Sequence, residues 1–205
     1  MYKIAVFVSG RGSNLKAILD RLSQIENNAE VACVISDKIE CPAFELVGLK
    51  NIPTYSVSQN YDENYISYAE LVQTLAKLEI DLIVLAGFLK KIPEVLLEKF
   101  EGKIINIHPA LLPAFGGKGM YGLNVHKAVF NKSVQVSGAT IHFVDKVYDN
   151  GKIIAQSCVD ISDVNSPEEI AARVLEVEHK LLPDVVVKFS ENKVVKKNNR
   201  IYTLK

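Results

Sequence analysis

Four short apolar, largely β-branched runs recur through the first half of the chain, at Lys3–Val8, Glu30–Ile35, Asp81–Ala86 and Lys103–Ile107. A weaker fifth lies at Thr54–Val57. Near-continuous apolar strands are buried on both faces, which happens when helices cover both sides of a parallel sheet. The stretches between them carry helical patterns, at Asn14–Ile25, Pro42–Lys50, Asp62–Leu78 and Pro93–Phe100. Strands alternating with helices predict an α/β fold with a mostly parallel, helix-covered sheet.

From Val134 the pattern changes. Val134–Val144 and Lys152–Asp160 read as longer strands joined through "DKVYDNG", an antiparallel excursion. Leu123–Asn131 is expected to be helical. Ser166-Pro167-Glu168-Glu169 opens another helix with a cap residue, a proline in the first turn and acids at the positive dipole end. That helix is expected to run to about Leu182, before Pro183, with a further turn after it. The tail "NKVVKKNNRIYTLK" predicts a hairpin about Asn198-Asn199. No repeat, low-complexity tract or linker interrupts the chain. One domain over residues 1–205 is expected, with its core at about 3–189 and the hairpin at about 193–204.

Twenty-four Lys+Arg balance twenty-four Asp+Glu, so the net charge is zero. Domains that bind nucleic acid by neutralising phosphates carry a basic excess, so no nucleic-acid partner is expected. Lys188, Lys193, Lys196, Lys197, Arg200 and Lys205 gather near the C-terminus and read as a solvated end. Cys33, Cys41 and Cys158 form no metal-type spacing, and Cys33 and Cys158 lie in apolar runs as small buried hydrophobes. The opening "MYKIAVFVSG" is too short for a signal segment, and no run approaches a membrane span. These features predict a soluble cytoplasmic protein, monomer or homodimer, with no membrane partner.

The chemistry is concentrated where strands stop. In "KIINIHPALLPAF", Asn106 and His108 interrupt a run of isoleucines, and Pro109 and Pro113 then forbid regular pairing. Residues i and i+2 of a strand share a face, so the amide and imidazole project side by side. In "VFVSGRGSNLKAIL", Gly10 to Asn14 lie between the first strand and the first helix. Such a loop is either a tight turn capped by Ser13 or Asn14, or a phosphate site at a helix N-terminus. It matches neither a full dinucleotide fingerprint nor a P-loop. "VLAGFLKKIP" ends a third strand at Ala86-Gly87-Phe88, with Phe88, Leu89 and Ile92 able to wall a flat ligand. His142, alternating with Phe143 along a strand, reads as structural. A carboxylate beside His108 would hold its tautomer and raise its pKa, and spacing leaves Asp145 and Asp149 both open. His108, His126, His142 and His179 show no ligand spacing with one another or with cysteine, so no metal is expected.

In their order and spacing, "SGRGSNL", "VLAGFLKKIP", "INIHPALLPAF" and "GATIHFVDKVYDNGKII" resemble the phosphoribosylglycinamide formyltransferases, from about Lys3 to Pro183. The resemblance implies a Rossmann-like formyltransferase fold and a role in purine biosynthesis. It also implies transfer of a formyl group from the cosubstrate 10-formyltetrahydrofolate to the amine of 5-phosphoribosylglycinamide. By it, Asn106, His108 and Asp149 are the catalytic residues, which selects Asp149 over Asp145. Gly12, Ser13 and Asn14 match the phosphate loop for the ribonucleotide, and Glu178 matches a ribose contact. Leu89, Lys90, Lys91 and Ile92, with Asn106, match the folate contacts, although the family's Met-Arg-Ile-Leu here reads Leu-Lys-Lys-Ile. Asn64 stands where a basic residue is common. The glycine-rich "AFGGKGMYG" is longer than the family's link and is expected to form a mobile loop at the site. Methionyl-tRNA formyltransferase, formyltetrahydrofolate deformylase and an inactive sugar-phosphate sensor are the rival readings. The neutral charge and chain extent count against the first, the early first strand against the second, and the intact Asn-His-Asp set against the third.

Overall fold

The structure, a computed structural model, describes residues 1–59 and 63–204. The chain divides into two compact units, Met1–Ile105 and Asn106–Lys205.

In the first unit the strands are β1 (Tyr2–Val8), β2 (Ala29–Ser36), β3 (Thr54–Ser58), β4 (Ile66–Ser67) and β5 (Leu82–Leu85). They lie in the order β4-β3-β2-β1-β5, and each pairing is parallel. Ile4 to Val8 and Leu82 to Val84 are fully enclosed, as their unbroken apolar runs require. Helices α1 (Ser13–Gln24) and α3 (Tyr68–Lys77) supply the crossovers, burying Leu15 and Ile18 from one and Leu71 and Leu75 from the other. The expected helix over Pro42–Lys50 is a 3₁₀ turn, Pro42–Phe44, running into the short α2 (Glu45–Gly48). The helix expected from Asp62 begins only at Tyr68, and Asp62 itself lies outside the described residues. Ser67 and Glu70 fix that start with a reciprocal capping box, and Ile66–Ser67 pair as a strand first. Helix α4 (Glu94–Lys99) leads to β6 (Ile104–His108), which carries the chain from the first unit into the second.

The second unit holds α5 (Leu123–Asn131), β7 (Val136–Phe143), β8 (Ile153–Asp160) and α6 (Pro167–Ser190). Strands β7 and β8 are antiparallel, as the turn-rich link predicts. Val129, Ile161, Ile170 and Val174 form a buried cluster under Phe115, Val134, Val159 and Val164. Helix α6 does not stop before Pro183 but runs through it. An interior proline costs roughly 3 kcal/mol or more. Leu182, Val185 and Val186 are buried around it, and each contributes about 1.5 to 3 kcal/mol, which outweighs the break. The C-terminal β9 (Val194–Lys197) and β10 (Arg200–Thr203) form a separate antiparallel pair. Asn198 and Asn199 both have positive φ there, the form of a two-residue hairpin turn. Cys33 is buried as expected, whereas Cys158, on β8, is exposed. No helix among the described residues is long and apolar enough to cross a membrane.

Candidate active site

Strand β6 delivers Asn106 and His108 to one place, and the chain leaves it at Pro109. His108 is 3% exposed. Its Nε2 lies 2.8 Å from the Phe115 carbonyl, which can only accept, so Nε2 carries a proton. Its Nδ1 faces Asp149 Oδ2 at 3.6 Å. Both ring nitrogens therefore look at oxygen, and only the imidazolium has a proton for each. Burial opposes that charge and prevails over Asp149 and the Phe115 carbonyl, holding the His108 pKa below its ordinary value. Asp149 does act upward on this pKa, as a neighbouring carboxylate should, but desolvation outweighs it and the net shift is downward.

Asp149 sits in the loop between β7 and β8 with φ of 53°. Gly117 N–H donates to its Oδ2 at 2.8 Å. Burial pushes its carboxyl up, but the His142 imidazole, the Gly117 N–H and the charge of His108 outweigh this, and it stays below the ordinary carboxylate range. Asp145, the alternative left open by spacing, is spent on its own loop, accepting from Val147 N–H at 2.8 Å and from the Asn150 amide.

His142 is the residue that sequence reasoning missed. It was expected to be structural, yet its Nε2 lies 3.1 Å from Asn106 Nδ2 and 3.6 Å from Asp149 Oδ1. Its Nδ1 donates to the Phe143 carbonyl at 2.8 Å. Its Nε2 thus faces both the Asn106 amide and the Asp149 carboxylate, and at most one N–H of Asn106 is engaged there, leaving the second for another acceptor. Alternation within β7 cannot reveal which strand lies beside it or in what register, so no sequence signal separated His142 from a core histidine. Glu178 is buried on α6.

The glycine loop lies in the first unit. Gly12, not Ser13 or Asn14, caps α1, in the left-handed conformation with φ of 73° and no side-chain cap. A Cβ at Gly12 would meet Ala43 Cβ at 2.6 Å and Leu46 Cδ1 at 3.2 Å, whereas one at Gly10 would meet nothing. Gly12 is thus required by backbone conformation and by packing on the 3₁₀ turn, and a larger residue there strains the fold before it touches any ligand. Ser13 is exposed and Asn14 buried. Leu89, Lys90 and Lys91 form an exposed turn after β5, pinned where Leu89 N–H donates to Ser9 Oγ at 2.9 Å, and Ile92 is buried beneath it. No group of three or more metal-ligating side chains is found among the described residues.

The sequence model of the formyl transferase family matches residues 2–186, through both units. Phosphoribosylglycinamide formyltransferase of Bacillus subtilis is 38% identical over 187 residues, covering 91% of this chain and 93% of that protein. The chloroplastic phosphoribosylglycinamide formyltransferase of Arabidopsis thaliana is 44% identical over 194 residues, and the chain spans 66% of its length. Glycinamide ribonucleotide transformylase 1 of Symbiobacterium toebii superposes with a TM-score of 0.88 at 31% identity, covering 100% of this chain and 95% of that one. A family match over nearly the whole chain, on a fold whose first strand end carries a glycine loop and whose β6 ends in Asn-x-His, leads to one conclusion: the chain belongs to the formyl transferase family, among its phosphoribosylglycinamide formyltransferases.

Proposed function

We propose that the chain transfers the formyl group of 10-formyltetrahydrofolate to the primary amine of 5-phosphoribosylglycinamide, a step of purine biosynthesis. The observation that carries this reading is the linked set Asn106–His142 and His108–Asp149 at the end of β6. The amine nitrogen attacks the formyl carbon, and the carbonyl oxygen becomes an oxyanion. Donors already aimed at such an oxygen contribute about 3 to 4 kcal/mol each. Asn106 offers the N–H that His142 does not take. His108 offers the second once its Nε2–H exchanges the Phe115 carbonyl for the substrate oxygen. Negative charge developing beside it favours the imidazolium that burial disfavours in the free protein, so the ring gains its proton when the reaction needs it. Collapse of the intermediate breaks the bond to the folate nitrogen, which takes a proton as it leaves, while the attacking amine gives one up.

Substrate placement follows from the remaining residues. Gly12, Ser13 and Asn14, at the N-terminus of α1, hold the ribonucleotide phosphate through the backbone N–H groups of the helix's first turn. Glu178 accepts from the ribose hydroxyls. Leu89 to Ile92 hold the folate.

Absorbance at the deformylated folate tests the reading directly. Formyl release is expected only when 5-phosphoribosylglycinamide is present, and equal release without it would make the chain a deformylase. Asp149→Asn should leave the fold intact and cut kcat by about two orders of magnitude or more, since an amide cannot favour imidazolium. The His108-dependent limb of its pH–rate profile should move to lower pH. An unchanged profile at wild-type rate would remove Asp149 from the mechanism.

A further inference from the structure

The segment that follows His108 has prolines at 109 and 113, which have no N–H to offer, so its course depends on other anchors. Thr140 provides them. Its Oγ1 donates to the Ala110 carbonyl at 2.7 Å and accepts from Leu112 N–H at 3.0 Å. The Gln156 amide nitrogen donates both to that hydroxyl at 3.0 Å and to the Leu112 carbonyl at 2.9 Å. One donor and two acceptor positions exhaust a hydroxyl, and two donors exhaust an amide nitrogen, so neither the Thr140 hydroxyl nor the Gln156 amide nitrogen has capacity to spare. Thr140 is fully enclosed. Thr140 and Gln156 are also cross-strand partners in the β7–β8 register, so the pair is mounted on rigid backbone. Gly138, next on the same face of β7, makes room for this arrangement: a Cβ there would collide with the Ser157 carbonyl and come within 3.0 Å of Leu111 Cδ2.

We infer that Thr140, braced by Gln156, is a positioning residue for His108: it fixes the backbone of Ala110 and Leu112 and thereby the direction in which the chain leaves the imidazole. The same stretch ends at Phe115, whose carbonyl receives His108 Nε2–H, and at Gly117, whose N–H holds Asp149. A displacement at residue 110 or 112 therefore reaches both ring nitrogens of His108. His142 borders the same centre, and its own strand carries Thr140 two residues earlier. The kinetic part of this inference rests on the transfer reaction proposed above, and the spectroscopic part does not.

Thr140→Val keeps the shape and removes the hydroxyl, and Thr140→Ser keeps the hydroxyl. A misplacement of about 1 Å costs roughly 100-fold in rate, so Thr140→Val should lose about 10- to 100-fold in kcat, with KM for either substrate changed less than about threefold. Thr140→Ser should retain most of the rate. In the free protein, ¹⁵N NMR of the histidines should show the His108 titration moved to lower pH in Thr140→Val, because the Phe115 carbonyl that supports the imidazolium retreats. The groups facing His108 in that measurement are Asp149, His142 and His126. Gln156→Met gives an independent variant should Thr140→Val not fold, and is expected to show the same direction at smaller size. Equal losses in Thr140→Val and Thr140→Ser, or an unmoved His108 titration in folded Thr140→Val or Gln156→Met, would overturn the inference. If wild-type protein transfers no formyl group while the His108 titration still moves, the clamp stands and the proposed reaction falls.

Discussion

His126 is 5% exposed on α5, yet its Nδ1 finds no hydrogen-bond partner among the described residues. Burial, then the charge of His108, lowers its pKa from 6.5 to about 4. Between these values the unfolded chain binds a proton at this position and the folded chain does not, so stability rises with pH across the window and is lost as pH falls through it. At one pKa unit per 1.36 kcal/mol, the full loss at the acidic end is about 3 kcal/mol. Denaturant unfolding at about pH 7.5 and about pH 4.5 should therefore show a drop in the wild type that His126→Gln reduces by an amount of that order. An identical drop in both proteins would assign the acid sensitivity to other groups. At this scale the sequence was informative where strand geometry alone sets neighbours. Asn106 and His108 had to share a face, and the prolines had to end their strand. It was silent where contact depends on which strands pair and in what register, so His142, Thr140 and Gln156 gave no signal.

Elements were legible where one period dominated. The buried runs that became β1, β2, β5 and β6 need only their apolar content to be recognised, and their expected limits differ from the observed ones by no more than one residue. Helix α3 was misplaced at its start because Ser67 and Glu70 cap it more strongly than the polar residues before it. Helix α6 outran its expected end because tertiary burial overrode local proline chemistry. The loop over residues 116–122 is the least regular element near the site, and its two ends behave differently. Gly116 lies where a Cβ would meet Leu112 Cδ2 at 2.5 Å and Asp149 Cβ at 3.2 Å. Gly117 is bonded to Asp149, whereas Lys118 and Tyr121 are exposed. A lid here must therefore hinge beyond Gly117, within the glycines that follow, while Phe115 and Gly117 stay anchored. Amide exchange is expected to be slow at Gly117 and fast from Lys118 to Gly122 in the free protein, and the fast amides should slow when 5-phosphoribosylglycinamide binds. Protection that is uniform across the loop before ligand is added would exclude a lid.

Across the whole molecule the balance of charge limits what kind of partner the chain can hold. Neutrality overall supplies no net positive field to draw in a polyanion. The basic residues of the C-terminal hairpin are partly committed locally: Lys193 pairs with Glu191 at 3.0 Å, and the Arg200 guanidinium lies 5.8 Å from the Tyr202 ring centre. Small phosphorylated substrates need no such field, because a helix N-terminus recognises a single phosphate through N–H groups rather than through a cationic surface. A nucleic-acid substrate would need many neutralised phosphates, and each would make binding steeper in salt, with a slope of about −0.9 per phosphate on duplex nucleic acid. These contrasting mechanisms predict contrasting salt responses. Raising salt from about 50 to about 200 mM should change kcat/KM for 5-phosphoribosylglycinamide by no more than a few-fold, since roughly one phosphate is engaged. Transfer RNA added at micromolar concentration should neither accept formyl nor compete with the small substrate. Inhibition by tRNA that salt relieves steeply would reveal a cationic face on the folded chain and return the tRNA-formylating reading to contention.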